Sequence, residues 1–316
     1  MPAPERPDVT VAIVNFNGRR HLETLLPSLA RQTIGGFAIH VVDDASTDDA
    51  RAYVEQAWPQ VRWLGAPANQ GITATMARAV AGAATDYVAV LNNDLELDPR
   101  WLEELLRVLE ARPRAAAVEG KTLQFARRTH LDGAGDLMRR NGYPDRRGHG
   151  EEDAGQLDAE GEIFAASGTA ALFRRAAFED VGPYDVDLRA YYEDVDWGFR
   201  ARLRGWTAWY APRALAYHVG SATVGHAPGP FTALIIRNQI LVLVKNLPWP
   251  LALRWAPRIA WFQLTWLPRN VRAGIGRQHV RALAGVARAL PAYLRKRRAV
   301  QARRTVPAAA LARVID

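Results

Sequence analysis

The chain contains no cysteine. That excludes disulfides, thiolate metal sites and a cysteine nucleophile, and it fits a reducing compartment. Acidic residues are missing from a long stretch: after Asp196 none occurs until Asp316, so residues 197–316 carry 20 Lys and Arg against one Asp, while residues 1–196 carry 21 against 32. An acidic part is joined to a basic part, and the basic part fits nucleic acid, an anionic membrane or a polyanionic substrate. Also lacking is an uninterrupted apolar run of the ~20 residues that a membrane span needs. Phe231 to Leu247 is broken by Arg237, Asn238, Gln239 and Lys245, and Trp249 to Trp266 by Arg254 and Arg258. Met1 to Asp8 holds three prolines and no apolar stretch, so no secretory signal and no export are expected. No repeat of ~20 to 50 residues is visible.

With 316 residues, 49% of them hydrophobic, the chain is long enough to bury a full core. Val9 to Val14, Phe37 to Val42, Val61 to Leu64 and Tyr87 to Leu91 read as buried strands, with helices between them at Leu22–Leu29, Asp48–Ala57 and Asn69–Ala81 and a further one over Arg100–Ala111. Such alternation predicts a largely parallel sheet covered on both faces. Lys121 to Gly161 shows no apolar period and reads as loops and short edge strands. Ala170 to Phe178 and Tyr191 to Arg204 read as helices, and Thr207–Tyr210 and Ala214–Tyr217 as two strands leading to His218. The Trp residues at 249, 255, 261 and 266, set among Leu, Pro and Arg, predict an interfacial helix pair with Trp at headgroup depth. Arg295 to Arg304 reads as a basic tail.

In an open α/β sheet, ligands bind beyond the carboxyl ends of the strands. Tyr87 to Leu91 runs directly into Asn92-Asn93-Asp94, which puts a carboxylate where a nucleotide would lie. A hard divalent cation finished by phosphate oxygens is the usual chemistry of such a spot, so Asp94 is a candidate metal ligand. Other acidic groups stand at element ends: Asp43-Asp44 after the second strand, and Glu193, Asp194 and Asp196 near a helix start. Helix capping and complementing the helix dipole explain these positions equally well when each is taken alone.

Together the motifs Ile13-Val14-Asn15-Phe16-Asn17-Gly18, Asp43-Asp44-Ala-Ser-Thr-Asp48, Asn69-Gln70-Gly71, Asn92-Asn93-Asp94, Gly182-Pro183-Tyr184-Asp185, Glu193-Asp194-Val195-Asp196 with Arg200, and His218-Val219-Gly220-Ser221 occur in one order. In this the chain resembles the family 2 glycosyltransferases, especially their bacterial rhamnosyltransferase-like members. The resemblance spans about residues 9–221 and, more weakly, the segment at Arg237-Asn238.

The resemblance implies a GT-A, three-layer α/β/α fold with a mostly parallel mixed sheet over residues 1–230. Residues 1–120 would bind the nucleotide and residues 121–230 the acceptor, with 231–316 a basic, Trp-rich, membrane-associating helical segment. It implies inverting transfer of a sugar from a nucleotide diphosphate sugar, dTDP-rhamnose or a UDP-sugar, to a hydroxyl of a lipid-linked or cell-surface glycan. Asn15, Asn17, Asp44, Asn69, Gly71, Asn92, Asn93 and Asp94 would bind the donor, Asp44 through its base. Asp94 and His218 would hold Mg²⁺ or Mn²⁺, although Asn92 replaces the first carboxylate of the usual Asp-X-Asp triplet. Asp194, paired with Glu193, would be the catalytic base, and Gly168 and Trp197 would meet the acceptor. The expected location is cytoplasmic, peripheral at the inner face of the plasma membrane, with no nucleic-acid partner. Two rivals stay open on the residues alone: a nucleotidyltransferase that makes nucleotide sugars, and a basic protein binding nucleic acid through residues 269–304.

Overall fold

A computed structural model describes residues 8–220 and 231–316. Ser221, the last residue of the His218 motif, and residues 1–7 lie outside the described residues. The chain runs β1 (Val9–Asn15), α1 (Arg19–Ala30), β2 (Ala38–Asp43), α2 (Ala50–Ala57), β3 (Arg62–Gly65), α3 (Ile72–Ala81) and β4 (Tyr87–Asn92). All seven residues of β1 are buried, because parallel neighbours and helices cover both its faces. Leu22, Leu25, Leu26 and Leu29 form the buried stripe of α1, as their helical spacing predicts.

The second part is mixed. It comprises β5 (Leu95–Leu97), α4 (Trp101–Glu110), β6 (Ala115–Gln124), β7 (Leu131–Gly133), β8 (Asp136–Met138), β9 (Pro144–Arg146), β10 (Gly161–Ile163), β11 (Ala170–Arg174), α5 (Arg175–Val181), α6 (Glu193–Leu203) and β12 (Thr207–His218). The main sheet has the order β10-β12-β6-β11-β4-β1-β2-β3, with β5 on β12 and β7 on β6. β11 is antiparallel to both β4 and β6, which ends the parallel half.

Three expectations are corrected here. Ala170 to Phe178 is not one helix: Ala170–Arg174 is a strand buried between β4 and β6, and the helix begins at Arg175. The stretch 121–161 does consist largely of loops and the short strands β7, β8 and β9, but its first residues, Lys121 to Gln124, end the long inner strand β6. Its charges escape a periodicity test because they pair within the fold: Lys121 Nζ donates to Asp153 Oδ2 at 2.9 Å, and Glu119 Oε2 accepts Ser167 N–H at 2.6 Å. Thr207–His218 is a single strand rather than two, and its register shifts between Ala211 and Leu215. Gly120 makes room for that irregularity, because a Cβ there would lie 2.0 Å from the Ala214 carbonyl oxygen.

Four helices follow: α7 (Thr232–Asn246), α8 (Trp249–Arg272), α9 (Gly276–Ala302) and α10 (Ala308–Ala312). The expected basic tail is thus largely the end of α9. α7 is built into the α/β body through buried polar groups. Asp196 is wholly buried; its Oδ2 accepts from Arg200 Nε at 3.0 Å and Lys245 Nζ at 2.8 Å, and its Oδ1 from Asn246 Nδ2 at 2.8 Å. Lys245 also reaches Asp185 Oδ2 at 2.7 Å, and Lys296 of α9 donates to Asp185 and to Asp187. Burial opposes the Asp196 charge, yet Lys245 and Arg200 hold its pKa down to about 2.

Removing one partner of a buried ion pair strands the other charge, which costs about 3–5 kcal/mol. Lys245→Met is therefore expected to lower the urea midpoint by that equivalent, whereas exposed Arg254→Met leaves it within about 0.5 kcal/mol. Equal midpoints for the two variants contradict the anchoring role.

Candidate active site

The carboxyl ends of β1, β2 and β4 meet in one hydrogen-bonded cluster. Asn15 Nδ2 donates to Asp43 Oδ1 at 2.8 Å, and Asn93 Nδ2 donates to Asn15 Oδ1 at 2.8 Å. Ser46 N–H donates to Asp43 Oδ2 at 2.9 Å. The loops after β1 and β2 also lock each other: Asn17 Oδ1 accepts Thr47 N–H at 2.8 Å, and Asp48 Oδ2 accepts the Arg19 N–H, the first of α1, at 2.9 Å. Short polar side chains that bond to nearby backbone are what this spacing supplies. Gly18 must be small, since a Cβ there would sit 1.9 Å from Asn93 Nδ2 and 2.3 Å from Asn15 Oδ1.

Asp44 is buried beneath the loop at Asn69-Gln70-Gly71. Its Oδ1 accepts Gln70 N–H at 2.9 Å and its Oδ2 accepts Gly71 N–H at 2.8 Å, while Asn69 Nδ2 donates to the Asp44 carbonyl at 3.3 Å. Gly71, at φ +89°, turns the chain into α3. Asp44 thus shapes this wall of the cleft from within, and a carboxylate retains further acceptor capacity beyond these two bonds.

Asp94 follows β4, and the antiparallel pairing of β5 with the end of β12 brings His218 to it. His218 Nε2 lies 3.2 Å from Asp94 Oδ1, and its Nδ1 lies 2.9 Å from Asp132 Oδ2. Burial works against the ring's charge, but bonds to Asp132 and Asp94 push its pKa up to about 9. Both carboxylates are drawn below their ordinary value by His218, against burial. The ring is thus held between two carboxylates, where an oxygen and a nitrogen ligand converge. The pair fits a divalent cation: the carboxylate is a hard ligand, and Asp132 orients the imidazole as metal-binding histidines require. Among the described residues no group of three or more His, Cys, Asp or Glu gathers into a fuller metal site.

Asp194 opens α6, near the loop Ser167–Thr169. Its Oδ2 accepts Gly168 N–H at 3.2 Å and its Oδ1 the N–H of Val195 at 2.8 Å. On the donor side of the same loop, Asn92 N–H donates to the Thr169 carbonyl at 2.9 Å. Burial raises the pKa of Asp194, and burial plus Asp194 raises that of Glu193 to about 8. Glu193 lies buried beside Asp194. The backbone before them is strained: Arg189, Tyr191 and Tyr192 have φ of +65°, +68° and +66°. Asn238 of α7, fully buried, holds that segment by donating to the carbonyls of Leu188, Ala190 and Tyr191 at 2.9, 2.8 and 3.0 Å.

Trp197 departs from its expected acceptor role. It is 2% exposed, its ring centroid lies 4.2 Å from that of Phe178, and its Nε1 donates to the Gly182 carbonyl at 3.0 Å. It packs the core beneath α6 because a large amphipathic ring with a satisfied N–H is favoured there. Gly168 is buried too, where a Cβ would lie 2.2 Å from Met76 Cε, and it meets the site only through its N–H to Asp194. Three residues that escaped sequence reading, Glu119, Asp132 and Arg146, join the site; Arg146 donates to Asp132 Oδ2 at 3.0 Å.

The profile of glycosyl transferase family 2 matches residues 10–182, more than half of the chain. The chain belongs to that family. A sugar, not a nucleotidyl group, is what this family's enzymes transfer, and the fold is that of GT-A glycosyltransferases. This glycosyltransferase is similar to the N-acetylglucosaminyl-diphospho-decaprenol L-rhamnosyltransferase of Mycobacterium tuberculosis, at 28% identity over 280 residues that cover 78% of this chain and 88% of the relative. Among solved structures, GalNAc-T7 with UDP, GalNAc and Mn²⁺ superposes with a TM-score of 0.61 at 14% identity, over 77% of this chain and 48% of that one. The mannosyltransferase PcManGT from Pyrobaculum calidifontis, in complex with GDP-Man and Mn²⁺, gives 0.57 at 18% identity, over 98% and 87%.

Gly18→Ala pushes apart the Asn15–Asn93 pair without touching the core. Losing such a buried bond costs roughly 1–3 kcal/mol, so the melting temperature should fall by a few degrees, and a nucleoside diphosphate resting on this pair should bind about tenfold more weakly. Titration calorimetry showing wild-type affinity would contradict the placement of the nucleotide here.

Proposed function

We propose that this glycosyltransferase transfers a sugar with inversion from a nucleotide diphosphate sugar, dTDP-rhamnose or a UDP-sugar, to a hydroxyl of a lipid-linked or cell-surface glycan. The main support is one loop, Ser167-Gly168-Thr169, which bonds Asn92 beside Asp94 at one end and Asp194 at the other. One loop thereby ties the segment that carries Asp94 to the carboxylate of Asp194. The rhamnosyl donor and polyprenyl acceptor are inferred from the name of the mycobacterial relative.

Asn15, Asn17, Asp44, Asn69, Gly71, Asn92 and Asn93 form the walls against which the nucleotide lies. Asp94 and His218 would hold Mg²⁺ or Mn²⁺, which when bound supplies neutralisation of the negative charge growing on the diphosphate. Asp194 accepts the proton of the acceptor hydroxyl as its oxygen bonds to the anomeric carbon. The sugar–phosphate bond breaks on the opposite face, so one displacement inverts the centre. Asp194, raised in pKa by burial, is a better base than a free carboxylate.

The acceptor side also implies a place. Trp249, Leu253, Trp261 and Leu264 of α8 are 63%, 71%, 70% and 72% exposed and share one side of the helix, with Val271. Arg254, Arg258, Arg269 and Arg272 follow one edge of that stripe. α9 repeats the arrangement with Val280, Leu283 and Leu294 beside Arg277, Arg281, Arg288 and Arg295. Apolar stripes edged by arginine, with no acidic residue between Asp196 and Asp316, complement an anionic membrane surface. Trp255 and Trp266 serve differently: Trp255 is buried, and Trp266 packs on Phe262 and Tyr143. No helix among the described residues is long and apolar enough to cross a membrane.

Asp194→Asn is expected to keep donor affinity within about twofold and to lower turnover by ~10²–10⁴, whereas Asp94→Ala loses metal-dependent donor binding. Full turnover in Asp194→Asn removes the base assignment. For the membrane face, the full chain should co-float with vesicles containing anionic lipid, and Leu253→Glu with Leu264→Glu should abolish this while sparing donor binding. Failure of the unaltered chain to float rejects that face.

A further inference from the structure

The segment Arg189–Tyr192, which leads into α6 just before Asp194, is gripped from two sides. On one side Asn238 of α7, wholly buried, donates its side-chain amide to the carbonyls of Leu188, Ala190 and Tyr191 at 2.9, 2.8 and 3.0 Å. Two N–H protons serve three acceptors there. Arg237 fixes which way that amide points: its Nη1 donates to Asn238 Oδ1 at 2.9 Å and to the Asp187 carbonyl at 3.2 Å.

The other side is the wall beneath which Asp44 lies. Thr73 N–H, in the first turn of α3, donates to the Arg189 carbonyl at 3.1 Å, and a Cβ on Gly71 would lie 3.0 Å from the same oxygen. Gly71 is also the residue whose N–H meets Asp44 Oδ2 at 2.8 Å. One turn further along α3, Met76 packs against Gly168, whose N–H bonds Asp194 Oδ2. Between these grips Arg189, Tyr191 and Tyr192 keep φ of +65°, +68° and +66°, which such residues hold only where their surroundings over-determine them.

We propose that Asn238 is a positioning residue for sugar transfer: by clamping the positive-φ segment against Thr73 of the nucleotide wall, it sets where Asp194 stands relative to the donor. Release on the α7 side lets these residues relax to ordinary backbone angles, and Asp194, next along the chain, moves with them. A displacement of ~1 Å is enough to cost about 10²-fold in rate. The inference rests on Asp194 as base.

The test is a double-mutant cycle between Asn238→Leu and Asp194→Asn in the full chain. Turnover is read as nucleoside diphosphate released from dTDP-rhamnose with N-acetylglucosaminyl-diphospho-decaprenol, the acceptor in the mycobacterial relative's name. It is divided by the sites that titrate with thymidine diphosphate, so that unfolded protein does not count. Asn238→Leu should lower turnover per site about tenfold or more and leave thymidine diphosphate affinity within about threefold; in the Asp194→Asn background it should change turnover by less than about twofold. Gln239→Leu is the matched control, since Gln239 is also wholly buried on α7 but bonds the Gly142 carbonyl and Gln263 Nε2. Its turnover per site should stay within about twofold of the unaltered chain. If Asn238→Leu does not fold, Thr73→Pro takes its place in the cycle: it removes the N–H that holds the segment from the other side, in a first helical turn where proline is tolerated, and should cause the same loss. Unchanged turnover per site, an equal loss in Gln239→Leu, or the same loss with and without the Asp194 carboxylate overturns the proposal. Retained turnover in Asp194→Asn, or none in the unaltered chain, instead removes the reading of the site on which the proposal rests.

Discussion

The buried carboxylate of Asp196 is the contact on which the rest depends. It is the last acidic residue before a long basic stretch, and it is answered by Arg200 from its own helix and by Lys245 and Asn246 from α7. The charge imbalance of the sequence is thus partly an internal matter: the basic part docks on the acidic part through desolvated pairs. Two residues upstream on α6 is Asp194. Fixing Asp196 and pinning Leu188 to Tyr191 with Asn238 holds the left-handed segment that leads into Asp194. Strained residues of this kind cost of order 1–3 kcal/mol each and persist only where the surroundings over-determine them.

Two networks then face each other. On one side Asn15, Asp43 and Asn93 bind the strand ends together, and Asp94 meets His218. On the other, Asp194 accepts the Gly168 and Val195 N–H groups, with Glu193 buried beside it. The Ser167–Thr169 backbone joins them, so their separation is set by the sheet and not by flexible side chains. Charges of opposite sign are preorganised before any ligand arrives, which is where electrostatic catalysis gains most.

The parallel half of the fold was legible because its strands are continuous apolar runs and α1 has a clean leucine period. The motifs at Asn15, Asp43, Asn93 and Asp94 were legible for the same reason, since each follows such a strand. β6 and β11 were not: Ala-rich segments carry little strand propensity, and Glu119 and Lys121 look like surface residues until their partners are known. Arg146 and Asp132 hid in a polar stretch of three-residue strands whose partners are distant in sequence. Trp197 was misread because proximity in sequence to Asp194 says nothing of direction, and one helical step turns the side chain into the core.

The most direct measurement is thermal unfolding of the full chain with thymidine, uridine and guanosine diphosphates, each with and without Mn²⁺. Ligand at about 100 times its dissociation constant adds ~2.7 kcal/mol of stability, a shift that is easily read. The account predicts stabilisation by thymidine or uridine diphosphate that requires Mn²⁺ and is lost in His218→Ala. Stabilisation by no nucleotide, or the same stabilisation without the metal, would contradict it.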